Sequence, residues 1–180
     1  MKDLQTANHK FNITCLRYFN PVGAHSSGLI GESPNGIPNN LMPYIQKVAN
    51  KKLPILSVYG NDYDTADGTG VRDYIHVVDL AQGHVSALQA FRDAQVDNLL
   101  ITNLGTGQGY SVLEMAKAFE AASGHSVPCQ IVPRRDGDVA SCFADPAYAL
   151  KTLGWKADKS LQDMCEDTWR WQSQNPDGYA

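Results

Sequence analysis

Apolar and polar positions along the chain switch between two periods. Residues Ile13 to Phe19 form a β-rich run that Asn20-Pro21 ends. Leu41, Ile45 and Val48 recur at helical spacing, which predicts a helix capped by Asn39 or Asn40 and running to about Asn50. Ile55 to Tyr59 reads as a short strand. Val77, Leu80, Ala81, His84, Val85 and Leu88 share one helical face, predicting a helix from about Val77 to Phe91 that buries them. On that face His84 is expected in the core or half-buried. Leu99 to Leu104 has the unbroken apolar character of a buried strand, and Cys129 to Val132 is another.

Punctuation supports this division. Ser111 with Glu114 forms a capping box, and Gly124 stops the helix that follows. Asp145-Pro146 predicts a cap and a first-turn proline for a short helix that Gly154 closes. Ser160 to Asp163 opens a final helix through Trp169 and Trp171. Residues 1–10 are polar and helix-tolerant. Residues 21–37 are rich in Gly and Pro and read as a long loop, of the kind that carries function. Residues 60–71 form a polar loop. Short strands alternating with helices predict an α/β chain.

Composition narrows the class. The 180 residues are 43% hydrophobic and 19% charged, with a net charge of -4. This is a globular balance, and its acidity argues against a nucleic-acid or anionic-membrane binder. No apolar run approaches a membrane span, and residues 1–5 carry no apolar signal region. Cys15, Cys129, Cys142 and Cys165 show no C-x-x-C pairing and read as free thiols of a reducing, cytoplasmic compartment.

Two motifs fail on inspection. Gly105-Thr106-Gly107-Gln108-Gly109 follows a strand and precedes a helix, but the third fingerprint glycine is replaced by Tyr110. It reads as a tight turn. Asp62, Asp64 and Asp67 resemble a calcium loop, yet Ala66 and Asp67 stand where a ligand and a glycine are required. The four histidines considered, His25, His76, His84 and His125, make no metal-ligand spacing, so no metal is expected. Loop arginines are more informative. Arg72, Arg134 and Arg135 sit beside glycines in a chain sparing of arginine, and a planar guanidinium suits bidentate phosphate binding. Salt bridges to Asp73, Asp136 and Asp138 are the alternative.

Four segments in this order carry a resemblance: Leu16–His25 (LRYFNPVGAH), Gly36–Tyr44 (GIPNNLMPY), Gly68–Leu80 (GTGVRDYIHVVDL) and Pro133–Asp138 (PRRDGD). With the closing Asp167–Gln172 they resemble the C-terminal half of the UDP-glucose 4-epimerase family, extended short-chain dehydrogenase/reductases. The resemblance covers nearly the whole chain. It implies the C-terminal part of a Rossmann-type parallel sheet plus a small α/β substrate-binding domain. Residues 1–25 would end the dinucleotide domain, and 26–180 would be mainly substrate domain, with about 60–104 returning to the first. It also implies roles. Phe19 would border the nicotinamide of NAD. Asn20 and Asn40 would hydrogen-bond sugar and diphosphate, with Leu41 beside them. Ser57, Val58 and Tyr59 would hold uracil along a strand edge, largely through backbone groups. Arg72 and Arg135 would clamp the diphosphate, and Asp138 would lie on the ribose side. Cys142 aligns with a position that is a bulky tyrosine in members restricted to non-acetylated sugars, so room for an N-acetyl group is implied. The full-length family member is implied to be a homodimer.

The family's chemistry uses the tyrosine of a Tyr-x-x-x-Lys motif to take the proton of the sugar 4-hydroxyl, while hydride passes from C4 to NAD. This sequence contains neither that motif nor an N-terminal G-x-x-G-x-x-G fingerprint. The expectation is therefore a truncated chain that holds substrate and lacks turnover. A non-catalytic UDP-sugar-binding remnant is the alternative, and a sister dehydratase or decarboxylase a third.

Overall fold

A computed structural model describes residues 1–93, 96 and 98–179. In chain order the elements are α1 (Lys2–Ala7), β1 (Ile13–Tyr18), β2 (Asn20–Val22), α2 (Leu41–Ala49), β3 (Leu56–Tyr59), β4 (Val71–Arg72), β5 (Tyr74–His76) and α3 (Val77–Arg92). Then come β6 (Leu99–Leu104), β7 (Tyr110–Ser111), α4 (Val112–Ser123), β8 (Cys129–Val132), β9 (Ser141–Cys142), α5 (Ala147–Leu153) and α6 (Leu161–Gln174).

Three two-stranded sheets are parallel: β1 with β6, β2 with β5, and β3 with β8. In the fourth, β4 lies between β7, antiparallel, and β9, parallel. Parallel pairing requires long crossovers, and here helices supply them, which makes the chain α/β as the pattern predicted.

Two apolar clusters hold the elements. In one, Met42 and Ile45 of α2, Leu56 of β3, Met115 and Phe119 of α4, and Met164 of α6 are buried together. In the other, Ile75, Leu80, Leu104, Ala149 and Trp155 join β5, α3, β6 and α5. The capping boxes of Ser111 with Glu114 and Ser160 with Asp163 both form, and Gly124 and Gly154 end their helices in the left-handed conformation. The Asp145-Pro146 cap is displaced by one residue. Pro146 takes the cap position, and Asp145 Oδ1 accepts the Ala147 N–H at 3.0 Å.

Helix α3 turns its face opposite to the prediction. Of the six residues expected inside, only Leu80 is buried. His84 is exposed, with Nδ1 2.9 Å from the Leu80 carbonyl and its ring tilted on Tyr18. Val85 and Leu88 are 53% and 71% exposed. The packed stripe is Leu80, Gly83, Ala87 and Ala90. A Cβ on Gly83 would come within 2.9 Å of Leu104 and 3.2 Å of Trp155, so small residues bring this helix close to its neighbours. Hydrophobic bulk, read from sequence, pointed to the other side. Among the described residues no helix is long and apolar enough to cross a membrane, and all four cysteines are free.

Candidate functional site

The site begins with the segment Gly68–Tyr74. Gly68 turns with φ +77°, a left-handed conformation in which a Cβ would strike the Asn61 carbonyl, so glycine is required. Asp67 fastens this turn. Its Oδ1 accepts the Thr69 N–H at 2.8 Å and hydroxyl at 2.7 Å, and its Oδ2 accepts the Ser111 hydroxyl of the α4 cap. Burial alone would raise the Asp67 carboxyl, but these hydrogen bonds outweigh it and hold the pKa below the ordinary value. Asp67, which breaks the calcium-loop pattern, is thus a structural tie.

From that turn, β4 delivers Arg72 into a cleft of about 580 Å³, within the usual range of small-ligand sites. Arg72 Nη1 donates to the Val71 and Val139 carbonyls at 2.8 and 2.9 Å, which fixes the direction of its guanidinium. Arg135 enters from the loop after β8 and lies 4.7 Å over the Tyr59 ring. Asp138 joins the two. It is 2.9 Å from Arg135 Nε and 3.5 Å from Arg72 Nη2. Two guanidinium groups and one carboxylate leave this end of the cleft net positive. The salt-bridge alternative therefore holds at Asp138, whereas Asp73 bonds elsewhere. Arg134 turns away, donating to Asp62 and stacking over Tyr63 at 4.0 Å.

The other walls come from Asn20 on β2, Asn40 and Leu41 at the start of α2, and Ser57 and Tyr59 on β3. Asn40 occupies the cap position of α2 without a side-chain cap bond, so its amide is not spent on the helix. It lies beside Glu32, whose carboxyl is pushed up by burial and partly drawn back by Asn40. On β3 the side chains alternate, Leu56 and Val58 buried, Ser57 and Tyr59 exposed. Leu56 N–H and Gly60 N–H donate to Pro128 and Val132 beside β8. The alternation of a parallel ladder then turns the backbone groups of Ser57 and Tyr59 away from β8.

Three expected residues stand outside this lining. Val58 is 1% exposed, with its side chain in the core and its backbone on the β8 side. Cys142 lies on β9, paired with Arg72, and is exposed. Phe19 is half-buried, packed beside Gly105. Among the lining residues that the sequence analysis did not single out are two tyrosines. Tyr44 projects from α2. Tyr74 is 3% exposed, and burial pushes its phenol up to about 12, so it stays a donor at neutral pH.

Known proteins resemble this chain over its whole length. The chain is 62% identical over 180 residues to the UDP-glucose 4-epimerase of Drosophila melanogaster, covering all of this chain and 51% of that relative. It is 61% identical to the UDP-glucose 4-epimerase of Bacillus subtilis over 99% of its own length and 52% of the relative's. It thus spans about half the length of the curated relatives it matches. The UDP-glucose 4-epimerase from Stenotrophomonas maltophila, solved with NAD and formylated UDP-arabinopyranose, superposes with a TM-score of 0.93 at 58% identity, over 97% of this chain and 52% of that one. The Bifidobacterium longum enzyme in complex with NAD+ and UDP gives 0.92 at 54% identity, over 99% and 52%. The family model described as GDP-mannose 4,6 dehydratase matches residues 4–168. The chain belongs to that family, and within it is similar to the UDP-glucose 4-epimerases.

Proposed function

We propose that this chain is the substrate-holding part of an NAD-dependent UDP-glucose 4-epimerase, an isomerase of galactose metabolism that interconverts UDP-glucose and UDP-galactose. The observation that carries this is the convergence of Arg72 and Arg135 on one carboxylate, Asp138, in a cleft that the β3 strand edge also lines. The guanidinium pair takes the diphosphate through charge-assisted hydrogen bonds. The β3 edge offers Ser57 and Tyr59 backbone groups to a flat, polar base. Asn20 and Asn40 supply amides to hydroxyls and phosphate, and the Tyr74 phenol adds a donor. Asp138 serves the ribose side, and Cys142 on β9 leaves room for an N-acetyl substituent.

The relatives are solved with NAD. Among the described residues the Gly105-Thr106-Gly107 turn is not free to take the pyrophosphate of NAD. The N–H groups of the Gly105 turn already bind the Asp73 carboxylate, and Phe19 is the residue we assign to the nicotinamide side. With no Tyr-x-x-x-Lys, the chain holds substrate without moving the 4-hydroxyl proton. The parallel pair β1–β6 and residues 1–25 and about 60–104 belong to the dinucleotide domain in this reading, and the rest mainly to the substrate domain. The whole enzyme acts in the cytoplasm as a homodimer, with neither nucleic acid nor membrane as partner.

Titration of the purified chain with UDP-glucose, followed by assay for UDP-galactose, tests the proposal. Saturable binding without conversion is expected. Absence of saturable binding overturns it.

A further inference from the structure

We infer that Asp73 is the positioning residue of the sugar–phosphate end of the cleft, held in an anion cradle formed by the Gly105-Thr106-Gly107 turn. The inference rests on the reading of that cleft as a UDP-sugar site.

The Asp73 side chain is wholly buried. Its Oδ1 accepts the Thr106 N–H at 3.0 Å and the Thr106 hydroxyl at 2.6 Å. Its Oδ2 accepts the Gly107 N–H at 2.9 Å and the Ala144 N–H at 3.1 Å. Among the described residues no Lys, Arg or His pairs with it. A buried carboxylate without a counter-ion needs its lone pairs filled, and four donors fill them here. Glycine-rich strand-to-helix turns bind phosphate in this way. In this chain the anion is internal. Gly105 shows how tightly the cradle closes: a Cβ there would lie 2.7 Å from Asp73 Oδ2 and 2.5 Å from the Ala144 methyl.

The same residue sets three others by its backbone. The Asp73 N–H donates to the Cys142 carbonyl at 3.1 Å, and the Asp73 carbonyl accepts the Asn20 N–H at 3.0 Å. Arg72 precedes it on β4, which pairs with β9 at Cys142. Asn20, Arg72 and Cys142 therefore take their positions from one anchored residue. Ser57 and Tyr59 do not, because they hang on the separate β3–β8 pair. Loss of the carboxylate should disturb the sugar–phosphate end and spare the base end.

The test compares the full chain with Asp73→Ala and Thr106→Val, titrated with UDP-glucose and with uridine, in formate and in chloride at equal ionic strength. Asp73→Ala is expected to bind UDP-glucose about tenfold or more weakly while uridine changes less than about threefold. Formate, filling the emptied cradle, should raise its melting temperature and recover UDP-glucose affinity, and chloride should do neither. Thr106→Val keeps the backbone donors and should show the same split at smaller size, and it decides the matter if Asp73→Ala does not fold. Equal losses for both ligands, or no difference between formate and chloride, overturn the inference. If the parent chain binds neither ligand, the reading of the cleft fails and the positioning role falls with it. The cradle is then judged by formate-dependent melting alone.

Discussion

The imidazole of His76 lies 3.2 Å from the carboxylate of Asp167, with both side chains buried. His76 caps α3, its Nδ1 accepting the Val78 N–H at 3.1 Å, so Nε2 carries the proton towards Asp167. Arg170 and Lys159 also face Asp167, and Gly23 leaves only enough room for the ring. The pair thus ties β5 and the start of α3 to α6.

Burial lowers the His76 pKa below its ordinary value. The Asp167 carboxylate offsets this in part, Lys159 adds to the lowering and Asp79 opposes it. The unfolded chain therefore takes up the His76 proton first. Stability contributed here is whole above about pH 6.5 and falls as pH drops below it. The melting temperature should decline between about pH 7 and pH 5, a range above that of the carboxylates Asp67 and Asp163, whose pKa values are lowered and which lose their contribution below about pH 4. His76→Asn, which retains an acceptor for Val78, should cost about 1–3 kcal/mol and flatten that decline. Melting curves of both proteins across pH provide the check.

Arg72→Ala and Arg135→Ala should each weaken UDP binding. Arg72 is the more enclosed, with 22% of its side chain exposed against 59% for Arg135, and its bonds are less screened. Removing a charge-assisted partner costs about 1.5–3 kcal/mol, or roughly tenfold to a hundredfold in affinity. Calorimetric titration should place Arg72→Ala at the upper end and Arg135→Ala at the lower.

Gly83→Ala should destabilise the chain even though alanine is the better helix former by about 1 kcal/mol. The new methyl meets Leu104 and Trp155. Trp155 is buried and its Nε1–H donates to the Asp79 carbonyl at 3.0 Å, so it has no room to yield. Overpacking of this kind costs about 1–3 kcal/mol. Leu88→Ser, on the exposed face, should shift unfolding by less than about 0.5 kcal/mol. Denaturant titrations of the two variants should rank them in that order.

These effects mark where the sequence was legible. Capping boxes such as Ser111 with Glu114 act within four residues, and their signals survived folding unchanged. The arginines of Pro133–Asp138 were visible because loop arginines beside glycine are rare here. Three things depended on distant contacts. The buried side of α3 is chosen by close packing on Leu104 and Trp155, which hydrophobic bulk does not encode. Asp73 looks like an arginine's partner, and its true partners lie 33 and more residues away in sequence. Val58 reads as part of a binding run, and the alternation of β3 turns it inward.

Cys142→Tyr should separate substrates. The parent chain should bind UDP-N-acetylglucosamine within about threefold of UDP-glucose, and the tyrosine should weaken only the acetylated ligand, by about tenfold or more. Competition titration against UDP would show this split, and equal effects on both ligands would contradict a role for Cys142 in substrate choice.

The most direct measurement is calorimetric titration of the purified chain with UDP-glucose, run beside the Arg72→Ala, Arg135→Ala double variant. Saturable one-site binding by the parent, lost in a double variant that still melts cooperatively, is the predicted result. Heat of binding that the double variant retains, or a parent chain that does not bind, would contradict the account.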